Sequence, residues 1–273
     1  MPTAKPESRL RNWIIALAMA LVPMSAAAQD TGLKSLDTTD AGRAWMAVGR
    51  LDIKNGAGFC TGTLIAPTLV LTAAHCLFDK VTGQRIDLAD VEFLAAWRLG
   101  RASAYRAARR AVIHPEYEYS VEGSAARIYN DIALIELWQP IRNTTVIPFE
   151  TGKRPSRGAE VGVVSYAQDR SEAPSLQEVC SVMTRRSNVL IMSCDVEFGS
   201  SGAPVFSFEG DQPRIVSVVA AKAEFNGQRV SVGTAVEDSL ELLQAELSAG
   251  RGFRASSPQA GANRNIGARF IKP

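Results

Sequence analysis

The chain has 273 residues, 46% of them hydrophobic, 21% charged and 7% aromatic, with a formal net charge of +2. It is long enough to bury a substantial core, and this composition excludes a disordered chain, a collagen and a coiled coil. So small a basic excess argues against nucleic acid as the main ligand.

Residues 1–28 read as a targeting segment rather than as part of the fold. Lys5, Arg9 and Arg11 open it, residues 13–22 form an unbroken apolar run, and Ser25-Ala26-Ala27-Ala28 closes it with small residues. This is the three-part pattern of a secretory signal peptide. The apolar run is too short to span a bilayer, which needs about 20 residues, so no transmembrane segment is expected in the mature chain. Residues 29–43 then form an N-terminal segment ahead of the domain.

From residue 44 the chain reads as short strands. Segments 45–51, 58–65, 68–73, 91–97, 105–113 and 131–137 alternate or concentrate apolar and β-branched residues, with Gly, Pro, Asn and Asp between them. A second set follows at 160–166, 177–183, 189–193, 204–208, 214–220 and 229–235. Six and six short strands predict an all-β chain of two barrels or a sandwich. The divide falls between about 44–145 and about 150–235. Val236, Leu240, Leu243 and Leu247 recur at helical spacing, which predicts a closing helix over 236–247. Thr234 and Glu237 have the spacing of a capping box at its start. Residues 248–273 carry five Lys/Arg, no acid and few large apolar residues, which predicts a basic, disordered tail.

Export makes Cys60, Cys76, Cys180 and Cys194 candidates for disulfides. Four cysteines allow three pairings; the spacings favour the local loops Cys60–Cys76 and Cys180–Cys194. No C-x-x-C pair occurs and there are only two histidines, so no metal site is expected.

Three segments carry chemistry. In Thr72-Ala73-Ala74-His75-Cys76 a small Ala pair precedes a histidine beside a cysteine, a place where a general base could be held rigidly. In Asn130-Asp131-Ile132-Ala133-Leu134 one acid opens an apolar strand, either as a turn residue or as the carboxylate that orients a histidine. In Gly199-Ser200-Ser201-Gly202-Ala203-Pro204 glycines flank serines in a tight turn. The amides of Gly199 and Ser201 could converge there as an oxyanion site.

Taken together, in the order His, Asp, Ser, these segments resemble the trypsin/chymotrypsin-like serine peptidases, over residues 44–247. CTGTLIAPTLVLTAAHC (60–76) is similar to the family's first disulfide loop and T-A-A-H-C motif. VIHPEY (112–117) followed by NDIALIEL (130–137) resembles its H-P-x-Y and D-I-A-L succession, and GSSGAP (199–204) stands where the family has G-D-S-G-G-P.

The resemblance implies two six-stranded antiparallel β-barrels with a C-terminal helix. It implies Ser201 as nucleophile, His75 as base and then acid, and Asp131 as its orienting partner. Gly199 and Ser201 would supply the oxyanion hole, and His114 would be structural. No cofactor is implied, and the partner would be a protein or peptide substrate. Ser200 replaces the aspartate that in trypsin receives the N-terminus released by zymogen cleavage, and Gly42-Arg43-Ala44-Trp45 lacks the I-V-G-G start. Activation without an inserted N-terminus follows as an expectation. Asp195 stands at the family's pocket-floor position, which would favour Lys or Arg at the cleavage point, with Ser217 as a second candidate pocket residue. The strand expected to wall the pocket has no glycine, so a shallow pocket is expected. Two other readings stay open: a catalytically inert scaffold that binds a partner, and a serine hydrolase acting mainly on esters. Localisation is expected to be periplasmic or secreted.

Overall fold

The computed structural model describes residues 1–2, 32–119, 125–210 and 212–256. Apart from Met1 and Pro2, the expected signal peptide lies outside the described residues, as does 257–273 of the expected tail. Among the described residues no helix is long and apolar enough to cross a membrane.

A short strand, β1 (Leu33–Ser35), and a single helical turn, α1 (Thr39–Gly42), precede the first barrel. That barrel is built from β2 (Val48–Ile53), β3 (Gly58–Ala66), β4 (Leu69–Thr72), β5 (Val91–Ala95), β6 (Ala104–Ile113) and β7 (Ala133–Leu137). The second is built from β8 (Glu160–Ala167), β9 (Arg170–Arg186), β10 (Val189–Met192), β11 (Pro204–Ser207), β12 (Arg214–Phe225) and β13 (Gln228–Ala235). All pairings within both are antiparallel. β6 pairs with β7 and β9 with β8, so each sheet closes on itself. Both run through the same order, first-second-third-sixth-fifth-fourth, and closure leaves no long open edge.

The cores follow from the strand patterns. Leu51, Leu64, Phe93, Ile135 and Leu137 fill the first barrel, and Val163, Leu190, Met192, Val205 and Val219 the second. A third cluster joins them, drawing Leu71, Val112 and Leu134 from the first barrel and Val164, Tyr166 and Phe206 from the second. Each fully buried side chain of this kind contributes about 1.5–3 kcal/mol. The docking of the barrels is therefore an apolar core in its own right. Tyr166 is wholly buried in it, and its hydroxyl donates to the Trp97 carbonyl at 2.9 Å. Burial pushes that hydroxyl's pKa above the usual tyrosine value.

The closing helix α2 (Glu237–Ser248) inserts Leu240, Leu243 and Leu247 into the shared cluster and packs back on β6 and β7. The expected capping box does not form. Thr234 lies inside β13, and its hydroxyl donates to the Ile128 carbonyl at 3.3 Å. Glu237 instead accepts from the backbone N–H of Arg154 at 3.0 Å, and the Val236 cap makes no side-chain hydrogen bond.

Structure also continues past the expected boundary at residue 247. Arg251 pairs with Glu246 through Nε at 2.5 Å. β14 (Phe253–Arg254) then adds to the β6 edge, and the Ser256 backbone N–H donates to Asp87 at 3.1 Å. A two-residue strand anchored by ion pair and hydrogen bonds has no periodicity for composition to reveal.

Candidate active site

The first barrel supplies a histidine and an acid. β4 ends at Thr72, and a 3-10 turn over Ala74–Leu77 carries His75. Cys76 in that turn is bridged to Cys60 of β3, as the local spacing suggested, and Cys180–Cys194 is the second bridge. The bridge ties the backbone of the turn that carries His75 to β3. Asp131 lies two residues before β7 and is 1% exposed. One carboxylate oxygen accepts from the His75 backbone N–H at 2.8 Å, and the other lies 2.6 Å from His75 Nδ1. A carboxylate can only accept, so Nδ1 carries a proton, and in the neutral tautomer this fixes, Nε2 keeps its lone pair. Both atoms of Asp131 that could orient the ring are used.

The second barrel supplies the serine. The turn 199–202 lies between β10 and β11, and its shape depends on two glycines. Gly199 has φ +100° and Gly202 φ +78°, in the left-handed region. A Cβ at Gly202 would lie 2.3 Å from the Thr61 carbonyl oxygen of the first barrel. Only glycine lets the two barrels approach so closely beside Ser201. Among the described residues the amides of Gly199 and Ser201 donate to no acceptor, whereas Ser200 N–H donates to Glu197 O and Gly202 N–H to Val219 O. Two unused amides flanking a serine are what an oxyanion site requires.

His75, Asp131 and Ser201 line one cleft of about 470 Å³ between the barrels. The Ser201 hydroxyl has no hydrogen bond among the described residues. Serine–histidine contacts of this kind commonly tighten only when substrate binds.

Ser200 points the other way. It is fully buried; its hydroxyl donates to the Tyr166 carbonyl and can accept from the Ser165 hydroxyl, both at 3.2 Å. It therefore satisfies itself inside the second barrel with no charged partner.

The two pocket candidates do not line the cleft. Asp195 is drawn back against β9: its backbone N–H donates to Gln177 Oε1 at 2.7 Å, beside the Cys180–Cys194 bridge. Ser217 is fully buried and donates to the Thr234 carbonyl at 2.8 Å. The geometry thus gives no support to selection of Lys or Arg through Asp195. The wall is formed instead by Val196, Val219, Ala220 and Ala221.

Charged groups that the sequence did not mark also face the cleft. Lys222 Nζ pairs with Glu197 at 2.7 Å and sits 4.4 Å from the centroid of the exposed Phe198 ring. The hydrogen bond from Lys222 holds the Glu197 carboxyl below the usual range, against the opposing effect of burial. Lys80 and Arg127 complete that side. No local pattern announces these residues: Glu197 and Lys222 meet only when the 196–198 loop and β12 are folded together, and Lys80 and Arg127 come from other loops.

Cys60, His75 and Cys76 lie close enough to suggest a metal cluster. Both sulfurs are consumed in the disulfide, so no thiolate is available to a metal.

Comparison with known proteins agrees with this architecture. The trypsin family model matches residues 37–239. The glutamyl endopeptidase of Bacillus licheniformis is 26% identical over 155 residues, covering 56% of this chain and 47% of that protein. Human mannan-binding lectin serine protease 1 is 28% identical over 134 residues, covering 44% and 18%, and the trypsin of Phaedon cochleariae is 33% identical over 107 residues, covering 38% and 36%. The chain thus matches less than half the length of each of these relatives. A solved Glu endopeptidase in complex with MPD superposes with a TM-score of 0.63 at 18% identity, over 81% of this chain and 98% of its own, which is a likeness of fold. With a family match spanning most of the chain and two closed six-stranded barrels meeting at a Ser–His–Asp cleft, this chain belongs to the trypsin family.

Proposed function

We propose that the protein is an exported serine endopeptidase that cleaves peptide bonds through Ser201, His75 and Asp131. The observation that carries this reading is the double contact of Asp131 with His75, at 2.6 and 2.8 Å, inside the cleft that Ser201 also lines. Ser201 Oγ attacks the substrate carbonyl as His75 Nε2 takes its proton, and Asp131 stabilises the imidazolium that forms. The Gly199 and Ser201 amides receive the negative charge on the carbonyl oxygen. His75 then returns the proton to the leaving amine, leaving an acyl-enzyme that water hydrolyses by the same route. Two disulfides and the signal-like N-terminal segment support function outside the cytosol.

The test is labelling of the purified protein with a serine-directed phosphonate, alongside hydrolysis of matched peptide and ester substrates. Wild type is expected to label and to cut both, and Ser201→Ala to lose labelling and at least about 10³-fold in rate. A wild-type protein that does not label is an inert scaffold, and one that cuts only esters is an esterase; either result overturns the proposal.

A further inference from the structure

Thr61 joins the two barrels at the point where the oxyanion amides are presented. It is fully buried in β3 of the first barrel. Its hydroxyl donates to the Gly199 carbonyl at 2.9 Å and accepts from the Tyr166 backbone N–H at 3.1 Å. Its own backbone N–H donates to the Ser201 carbonyl at 2.8 Å. Its carbonyl is held in turn by the Thr72 hydroxyl at 2.9 Å.

The four successive peptide planes of the serine turn are each pinned by one carbonyl. Phe198 O accepts from Gln168 N–H at 2.7 Å, and Ser200 O from Ala203 N–H at 2.9 Å, both within the second barrel. The other two, Gly199 O and Ser201 O, are pinned by Thr61. In a trans peptide the C=O and N–H point in opposite directions. Holding a carbonyl against the barrel therefore aims the next amide away from that contact. The plane held by the Thr61 hydroxyl lies between the two planes that carry the free Gly199 and Ser201 amides. Gly199, lacking a Cβ, could otherwise turn at low cost and carry either amide off target.

We propose that Thr61 is a positioning residue for the oxyanion site, its hydroxyl locking the second-barrel turn from the first barrel. The inference rests on the peptidase reading above. It assigns to a neutral hydroxyl, built into the strand sequence Cys60-Thr61-Gly62, work that Ser200 has no charge to perform. Thr61 touches neither substrate nor the transferred proton, so its removal should spare ground-state binding and weaken the transition state.

The experiment compares wild type with Thr61→Val, which keeps the shape and deletes the hydroxyl, and Thr61→Ser, which restores it. Thr61→Ala leaves room for a water between Gly199 O and Tyr166 N and serves where the valine variant does not fold. Loss of a whole oxyanion donor costs about 10²–10³ in kcat. Loss of the clamp is expected to cost about 10–100-fold in kcat, with KM within about twofold and most of the rate recovered by serine. Affinity for a peptide boronate, which forms a tetrahedral adduct, should fall in parallel with kcat/KM, while affinity for a cleaved product peptide stays constant. Full kcat in a folded Thr61→Val or Thr61→Ala protein would sink the proposal. So would a loss that serine does not rescue, or one that leaves boronate affinity intact. A wild-type protein that fails to react with the phosphonate refutes the peptidase reading and this proposal with it; an active wild type with an unaffected Thr61 variant refutes this proposal alone.

Discussion

Gly202→Ala is expected to damage both stability and catalysis through one atom. At φ +78° an alanine carries the left-handed cost of about 1–2 kcal/mol. Its Cβ would also stand 2.1 Å from Thr72 Oγ, 2.3 Å from Thr61 O and 2.9 Å from Ala73 N. Two of those three atoms are backbone and cannot swing away, so the serine turn must retreat from the first barrel by about 1 Å to reach ordinary contact. Overpacking of this kind costs about 1–3 kcal/mol more. Together the terms give about 2–5 kcal/mol, a fall in Tm of roughly 5–15 °C for a domain of this size. The retreat carries Ser201 away from His75, and a displacement of about 1 Å at a reacting group can cost about 10²-fold in rate. Gly158→Ala is the control: φ is +84° there, but nothing lies within 4 Å of a Cβ, so it should show the conformational cost alone and full activity. Thermal melts and phosphonate labelling rates separate the two effects. A Gly202→Ala protein with wild-type labelling would refute the claim that close approach of the barrels sets the position of Ser201.

Asp131→Asn should leave the fold intact and reduce kcat by about 10⁴, the value known for this substitution in the family's best-studied triad. Either the amide NH₂ faces His75 Nδ1 and forces the proton onto Nε2, or it faces the backbone N–H that Asp131 now accepts; near-wild-type kcat would contradict the orienting role. His114 gives a pH prediction. Burial lowers its pKa, opposed by the charge of Glu116, and its Nδ1 accepts from the Glu116 backbone N–H at 3.3 Å. A depressed folded pKa means that the unfolded chain binds the proton first. This contribution is therefore intact above the ordinary value of about 6.5 and is lost as pH falls through the lowered folded value. Urea midpoints of wild type should fall between about pH 7 and pH 5 by more than those of His114→Gln; equal slopes would refute the assignment.

Much of the fold could be read from the sequence because each barrel strand is short, apolar and bounded by turn residues. Each of the twelve barrel strands overlaps the segment that alternation and punctuation place there, but β2 begins at Val48 after a 3-10 turn, β9 begins at Arg170 rather than Gln177, and β12 runs on to Phe225, because tight turns and hairpins leave little sequence mark. Strands β1 and β14 were not legible: two or three residues carry no period, and their partners lie far along the chain. The capping-box pattern at Thr234 misled for a physical reason, since a buried strand hydroxyl already had an acceptor in Ile128. In the site, His75, Asp131 and Ser201 stood out because each sits in a distinctive local string. Asp195 did not reach the cleft, because a count along a loop cannot foresee a disulfide and Gln177 drawing that segment back. Thr61 had no local signal at all, since its meaning lies in contacts with residues 199 and 201.

The shared order of the two barrels has a temporal consequence. Each half can close its own sheet from nearby strands, yet His75 and Asp131 sit in one and Ser201 in the other. In the proposed reaction, either half alone would hold a base without a nucleophile or a nucleophile without a base. On that reading the site is complete only where the shared apolar cluster brings the barrels together and Thr61 meets the serine turn. Under the proposed function, a chain whose halves have not yet docked would be harmless to its neighbours, a latency that comes from the split architecture itself.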